Sequence, residues 1–151
     1  MLIKTHLAIC AFFVLLFLPI VNHDFVFVVS ALIATFIPDI DSRYSKLGRK
    51  KLARILQFFT KHRGVIHSFS FLFLITLIIA IFFPVLAVGF FLGYGLHLFM
   101  DSFTIQGIKP FWPLRKDSMG GLRTGGRIEK IVLWVFIIAD LVLMVGLFSV
   151  L

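Results

Sequence analysis

Apolar residues in this chain gather into long uncharged runs, and those runs predict its elements. The first covers residues 7–21 and the second 25–38. A third opens at Ser68 and meets no Asp, Glu, Lys or Arg before Asp101. The last opens near Glu129 and reaches Leu151, with Asp140 as the charge in its interior. About 20 apolar residues cross a hydrocarbon core of ~30 Å, so each run is read as membrane-spanning, the first two recruiting the polar residues at their ends. The stretch from 68 to 100 is too long for one crossing, because at ~1.5 Å per residue it would reach ~50 Å. Pro84 follows Phe82-Phe83 near its middle. A proline there removes a backbone donor and clashes with the preceding turn, which divides the stretch into two helices. The expected fold is all-α: one integral membrane domain over 1–151, with five transmembrane helices at about 4–21, 24–38, 66–83, 86–104 and 128–150.

Composition supports the membrane reading. The chain is 60% hydrophobic, with 20 Phe and a mean hydropathy of +1.08, where soluble domains lie near ~45–50% apolar. Charged residues at 15% exclude disorder, and the single Cys10 excludes a disulfide scaffold. The formal net charge of +8 would suggest nucleic acid in a soluble protein. Here the placement of the charges points to a membrane, and no nucleic-acid partner is expected. With five spans, Lys4, the eight basic residues of 42–66 and the six of 105–130 fall on one side, which accounts for all 15. Four spans would divide the basic loops between both faces. By the positive-inside rule the N-terminus and both long loops are expected in the cytoplasm and the C-terminus outside, in a multi-pass protein of the inner membrane. Leu18-Pro19-Ile20-Val21 lacks a small-x-small cleavage site, so the first run is read as a retained span. Within the first loop, Leu52, Ile55, Leu56 and Phe59 recur at helical spacing among lysines. That pattern suits a short amphipathic helix on anionic headgroups, and equally a plain connector.

Residues with ligand chemistry converge in this topology. His6 opens the first span, Asp39 and Asp41 close the second, and His62 and His67 precede the third. His97 and Asp101 end the fourth, and Glu129 opens the fifth. The start of an odd helix and the end of an even one face the same side, so all eight share the cytoplasmic end. Acids and imidazoles near hydrocarbon need partners, and a divalent cation suits both kinds together. His97 and Asp101, four apart, project from one helical face and can place a nitrogen and an oxygen on one metal. Asp39-x-Asp41 can bridge two cations, or supply one ligand and one orienting group. The predicted ligands are His6, Asp39, Asp41, His62, His67, His97 and Asp101. Each element alone has an ordinary structural explanation; their convergence carries the prediction. His23, beside Asp24 at the opposite end, is expected to be a surface residue.

Thr5-His6, Pro38-Asp39-Ile40-Asp41, His62-Arg63-Gly64-x-x-His67-Ser68 and the run Gly93-Tyr94-Gly95-Leu96-His97-Leu98-Phe99-Met100-Asp101 form a recognisable series. Thr104, Gly107, the Pro110–Pro113 segment and Thr124-Gly125-Gly126 with Glu129 continue it. In this combination the chain resembles the YdjM-like family of inner-membrane metal-dependent hydrolases. The resemblance spans nearly the whole chain and implies a small polytopic protein with a hydrolase-type metal site and no assigned substrate. Two positions depart from the pattern: Ile66 stands where Thr is usual, and Asp140 has no counterpart. The His-x-x-x-Asp element is also similar to zinc-dependent phospholipases C, a short likeness that favours phosphoesters.

The leading functional expectation is therefore a metal-dependent hydrolase acting on a lipid or lipid-linked substrate. Glu129 is the candidate general base or further ligand, and Arg63, with Arg123 and Arg127, the candidate phosphate-binding group. Histidines with carboxylates suit Zn²⁺, with Mn²⁺ or Fe²⁺ as alternatives. A divalent-metal transporter or channel is the second reading. Ligands at one membrane end argue against it; Asp140, ~16 Å along the last helix from Glu129, is the exception, and is read first as a hydrogen-bonded helix contact. The third is a membrane adaptor with a structural metal, binding another protein through its basic loops.

Overall fold

The computed structural model describes residues 1–41, 65–114 and 117–150. Among them lie five α-helices: α1 (Ile3–Phe17), α2 (Asp24–Phe36), α3 (Phe69–Phe82), α4 (Pro84–Ser102) and α5 (Arg127–Val150). Short 3-10 turns follow α1 at Leu18–Ile20 and α2 at Pro38–Asp41. No strand occurs among the described residues. Two isolated bridges, Thr104 with Leu122 and Ile108 with Ser118, fold the segment between α4 and α5 on itself.

The all-α expectation holds, and the five helices among the described residues lie near the five expected runs, with shifted ends. Pro84 is the first residue of α4 rather than part of a preceding turn, because a first-turn proline gives up an amide with no helical partner anyway. Ser68 caps α3, its hydroxyl accepting from the Phe71 amide at 3.1 Å, so that helix starts later than expected. By length and apolarity, three segments can cross a membrane: Ile3–Ile20, Pro84–Ser102 and Arg127–Leu147. α2 and α3 are apolar but shorter. The amphipathic segment at 50–61 lies outside the described residues.

α1, α3 and α5 begin at one end of the bundle, where α2 and α4 finish. α2 and α4 run side by side in closest contact, with Gly93 against the Ala31 backbone; a Cβ on Gly93 would stand 1.9 Å from the Ala31 carbonyl oxygen. Gly89 meets Ser30 and Phe27 in the same way. These are two small residues four apart, and they let helix backbones approach where lipid offers no hydrophobic drive to hold them. Thr35 strengthens the contact, its hydroxyl donating to the Ala31 carbonyl at 2.9 Å and lying 3.4 Å from that of Gly93. Outside this core, Leu77 and Ile81 of α3 and Trp134, Ile138 and Val142 of α5 are exposed. An apolar surface of that extent is what a hydrocarbon solvent requires.

Candidate metal centre

At the end of the bundle where α4 finishes, five side chains from four segments meet. His6 comes from the first turns of α1, Asp39 from the turn after α2 and His67 from the residues before α3. His97 and Asp101 come from the last turns of α4. His6, His67, His97 and Asp101 are all buried, and the Asp39 side chain is 22% exposed. Hydrogen bonds around the cluster hold the segments that carry His67, His97 and Asp101. Tyr94, one turn above His97, donates its hydroxyl to the Ile66 carbonyl at 2.6 Å. The Phe69 amide donates to the Pro110 carbonyl at 2.8 Å, which ties the segment carrying His67 to the 104–114 loop. Thr104 donates to the Asp101 carbonyl at 2.7 Å and secures the end of α4.

The imidazole of His97 sits at the centre. Its Nδ1 lies 2.8 Å from the Thr35 carbonyl, one of the acceptors that the C-terminus of α2 leaves open. A carbonyl only accepts, so Nδ1 carries the proton and Nε2 presents a lone pair. That Nε2 is buried without a hydrogen-bond partner, and it faces Asp39 Oδ1 and Asp101 Oδ2, each at 3.9 Å. Three electron-rich atoms therefore converge on one another. The ring of His6 stacks on that of His97, centroids 3.9 Å apart and planes within 5°, with Nε2 3.3 Å from Asp101 Oδ1. His67 Nε2 lies 3.8 Å from Asp101 Oδ2. The Met1 amine pairs with Asp101 Oδ1. Burial raises the pKa of the Asp39 carboxyl, an effect opposed by the His6 and His67 imidazoles.

These separations suit a shared cation better than direct hydrogen bonds, which close to ~2.7–3.2 Å. Two ligand atoms on one tetrahedral ion with bonds of ~2.0–2.2 Å stand about 3.4 Å apart. Two triads meet the requirement, His6 with His97 and Asp101, and Asp39 with His67 and His97; in each, one ligand atom per residue lies within 4.8 Å of the others. The donor set of imidazole and carboxylate fits a borderline divalent metal such as Zn²⁺. His97 also has the outer partner common to metal-bound histidines, since its second nitrogen is held by a carbonyl that fixes the tautomer.

The predicted residues divide into three groups. His6, Asp39, His67, His97 and Asp101 come together. His62 and Arg63 lie outside the described residues, as does the side chain of Asp41, whose backbone closes the turn after α2. Glu129 belongs to neither triad: its Oε1 accepts from the Leu2 amide at 2.6 Å and the Thr5 hydroxyl at 2.9 Å, and its Oε2 from the Gly125 amide at 2.5 Å. His23 is exposed at the far end of the bundle, where it borders a cavity of about 550 Å³ between Phe17, Phe27, Pro84 and Phe91. The Thr35 carbonyl escapes sequence reasoning, because a backbone acceptor leaves no side-chain signal. Arg123, Arg127 and Lys130 line a second cavity of about 560 Å³ around Gly125 and Gly126, beside the start of α5. Asp140 lies midway along α5 with Oδ1 buried and without a hydrogen-bond partner.

The family model described as YdjM inner membrane protein matches residues 1–150. A protein of Bacillus subtilis (strain 168) carrying the name Uncharacterized protein YvsG is 31% identical over 110 residues, a stretch covering 69% of each chain. No solved structure matches the chain.

Proposed function

The chain belongs to the YdjM family of inner membrane proteins, and we propose that it is a metal-dependent hydrolase acting on a lipid or lipid-linked phosphoester at the cytoplasmic membrane face. The observation that carries the reading is His97 Nε2, a buried lone pair without a hydrogen-bond partner, held 3.9 Å from a carboxylate oxygen of Asp39 and from one of Asp101. A divalent cation placed among these three atoms would draw on all of them at once. When bound, a divalent cation, Zn²⁺ in this proposal, supplies Lewis acidity and makes hydroxide accessible near neutral pH. His6, Asp39, His67, His97 and Asp101 hold it. Asp41 and His62, near Asp39 and His67 in sequence, are proposed to complete its surroundings.

The chain's remaining groups serve the substrate. Asp39 is the most exposed of the five described ligands and marks the side from which a headgroup approaches. Arg123, Arg127 and Lys130 surround a cavity at the same end of the bundle, and with Arg63 they neutralise a phosphate, arginine by paired hydrogen bonds. The exposed apolar flanks of α3 and α5 keep this end at headgroup depth, which favours a lipid-like substrate over a soluble one.

Orientation is part of the proposal. Cysteines introduced at Asn22 and at Gly120 are expected to label from opposite sides of intact vesicles, the second from the cytoplasm; Cys10, the single native cysteine, is buried. Labelling of both from one side defeats the orientation. For the activity, the purified protein in detergent is offered defined phospholipids and lipid-linked phosphates, with Zn²⁺ and with chelator. Turnover that chelator removes and Zn²⁺ restores is expected. If no substrate turns over while protein-containing liposomes pass divalent metal, the site serves transport, and Asp140, with Oδ1 buried and without a hydrogen-bond partner, marks its path.

A further inference from the structure

Glu129 is the third residue of α5, and its carboxylate caps two helices at once. The Gly126 carbonyl accepts the first helical bond of α5, from the Lys130 amide at 3.2 Å. Oε2 of Glu129 turns back to the Gly125 amide. Gly125 has a φ of 75°, a left-handed conformation that glycine adopts without strain, and this aims its amide at the carboxylate. Oε1 crosses to α1, whose N-cap residue, Leu2, has no side-chain cap. There it accepts from the Leu2 amide and from the hydroxyl of Thr5, the third residue of α1. In a capping box a glutamate at the third position accepts the N-cap amide of its own helix. Here a glutamate of α5 does so for α1, and its charge sits at the positive ends of both helices. Glu129 is 2% exposed, so these bonds are largely shielded from water.

The residue after Thr5 is His6. Nδ1 of His6 has no hydrogen-bond partner, so no bond on that side orients the ring. Its place over His97 and beside Asp101 follows from where the first turn of α1 stands. We propose that Glu129 is a positioning residue, which sets the first turn of α1 against α5 so that His6 is held as a ligand, and which touches neither cation nor substrate. Its carboxylate oxygens are taken up by three donors, so the general-base role expected from the sequence gives way to this one. The inference rests on the metal-binding reading of the cluster, and its test separates the two.

Zn²⁺ affinity is measured on the full chain in detergent, by competition with a chromophoric chelator, for wild type, Glu129→Gln, His6→Ala and the double variant. Glu129→Gln is expected to weaken binding by about 10–100-fold, the range seen when partners of metal ligands are removed. If Glu129 acts through His6, the same change in the His6→Ala background costs less than about 3-fold, because the two effects are coupled. In metal-free protein, the His6 ring resonance, shifted by its stack on His97, moves toward its unstacked position in Glu129→Gln. Thr5→Val, which removes one donor and keeps the side-chain shape, is expected to shift it the same way and serves if Glu129→Gln does not fold. Equal losses in both backgrounds, or an unmoved His6 resonance, overturn the inference. A wild type that binds no Zn²⁺ overturns the metal reading, and the resonance then decides the role of Glu129.

Discussion

Asp101→Asn is expected to lower turnover by about 10³-fold or more, a rise of about 4 kcal/mol in the barrier at 1.36 kcal/mol per tenfold, and to leave the purified protein without metal. Asparagine keeps the volume of the buried side chain but removes the charge. Asp101 faces His6 through Oδ1, and His67 and His97 through Oδ2, so one substitution strips an anionic ligand from the middle of the cluster. The amide adds a donor at one position, which faces the histidine nitrogens and supplies no anion to a cation. Metal content by elemental analysis and turnover in Zn²⁺-replete detergent check the result, with circular dichroism to establish that the helices persist. An Asp101→Asn protein that retains both metal and turnover refutes the assignment.

The second large effect is expected at His97. His97→Ala removes the residue shared by both triads and also frees the Thr35 carbonyl at the end of α2. The variant is expected to lose its metal, with affinity falling by at least about 10²-fold, whereas His23→Ala, exposed at the opposite end, retains it. Elemental analysis of both variants, prepared side by side, gives the comparison. Equal metal content in the two would show that the cluster holds no ion.

Much of this arrangement was legible in the sequence because bilayer physics leaves few choices. Charge-free runs long enough to span, Pro84 at the middle of the longest one, and basic residues confined to Lys4 and two loops pointed to five helices and placed His6, Asp39, His67, His97 and Asp101 at one end. Helix lengths were harder to read. Pro84 begins α4 and Ser68 caps α3, so ends shifted by a few residues, and α2 and α3 are shorter than the runs that predicted them. The contact of α2 with α4 through Gly89 and Gly93 was not legible, because two glycines four apart gain meaning only with Ser30 and Ala31 opposite.

What the sequence determined alone is the all-α class, the helix count among the described residues and the sharing of one end by the His and Asp side chains. Period, length and charge placement are properties of the chain itself. Tertiary structure decided the roles. Only folding sets the Thr35 carbonyl against His97 Nδ1 and thereby leaves Nε2 as a lone pair toward Asp39 and Asp101. Only folding takes Glu129 away from the ligands and onto Leu2, Thr5 and Gly125. Both outcomes turn on backbone groups of distant segments, and a backbone amide or carbonyl is the same at every position of a sequence until the fold selects one of them.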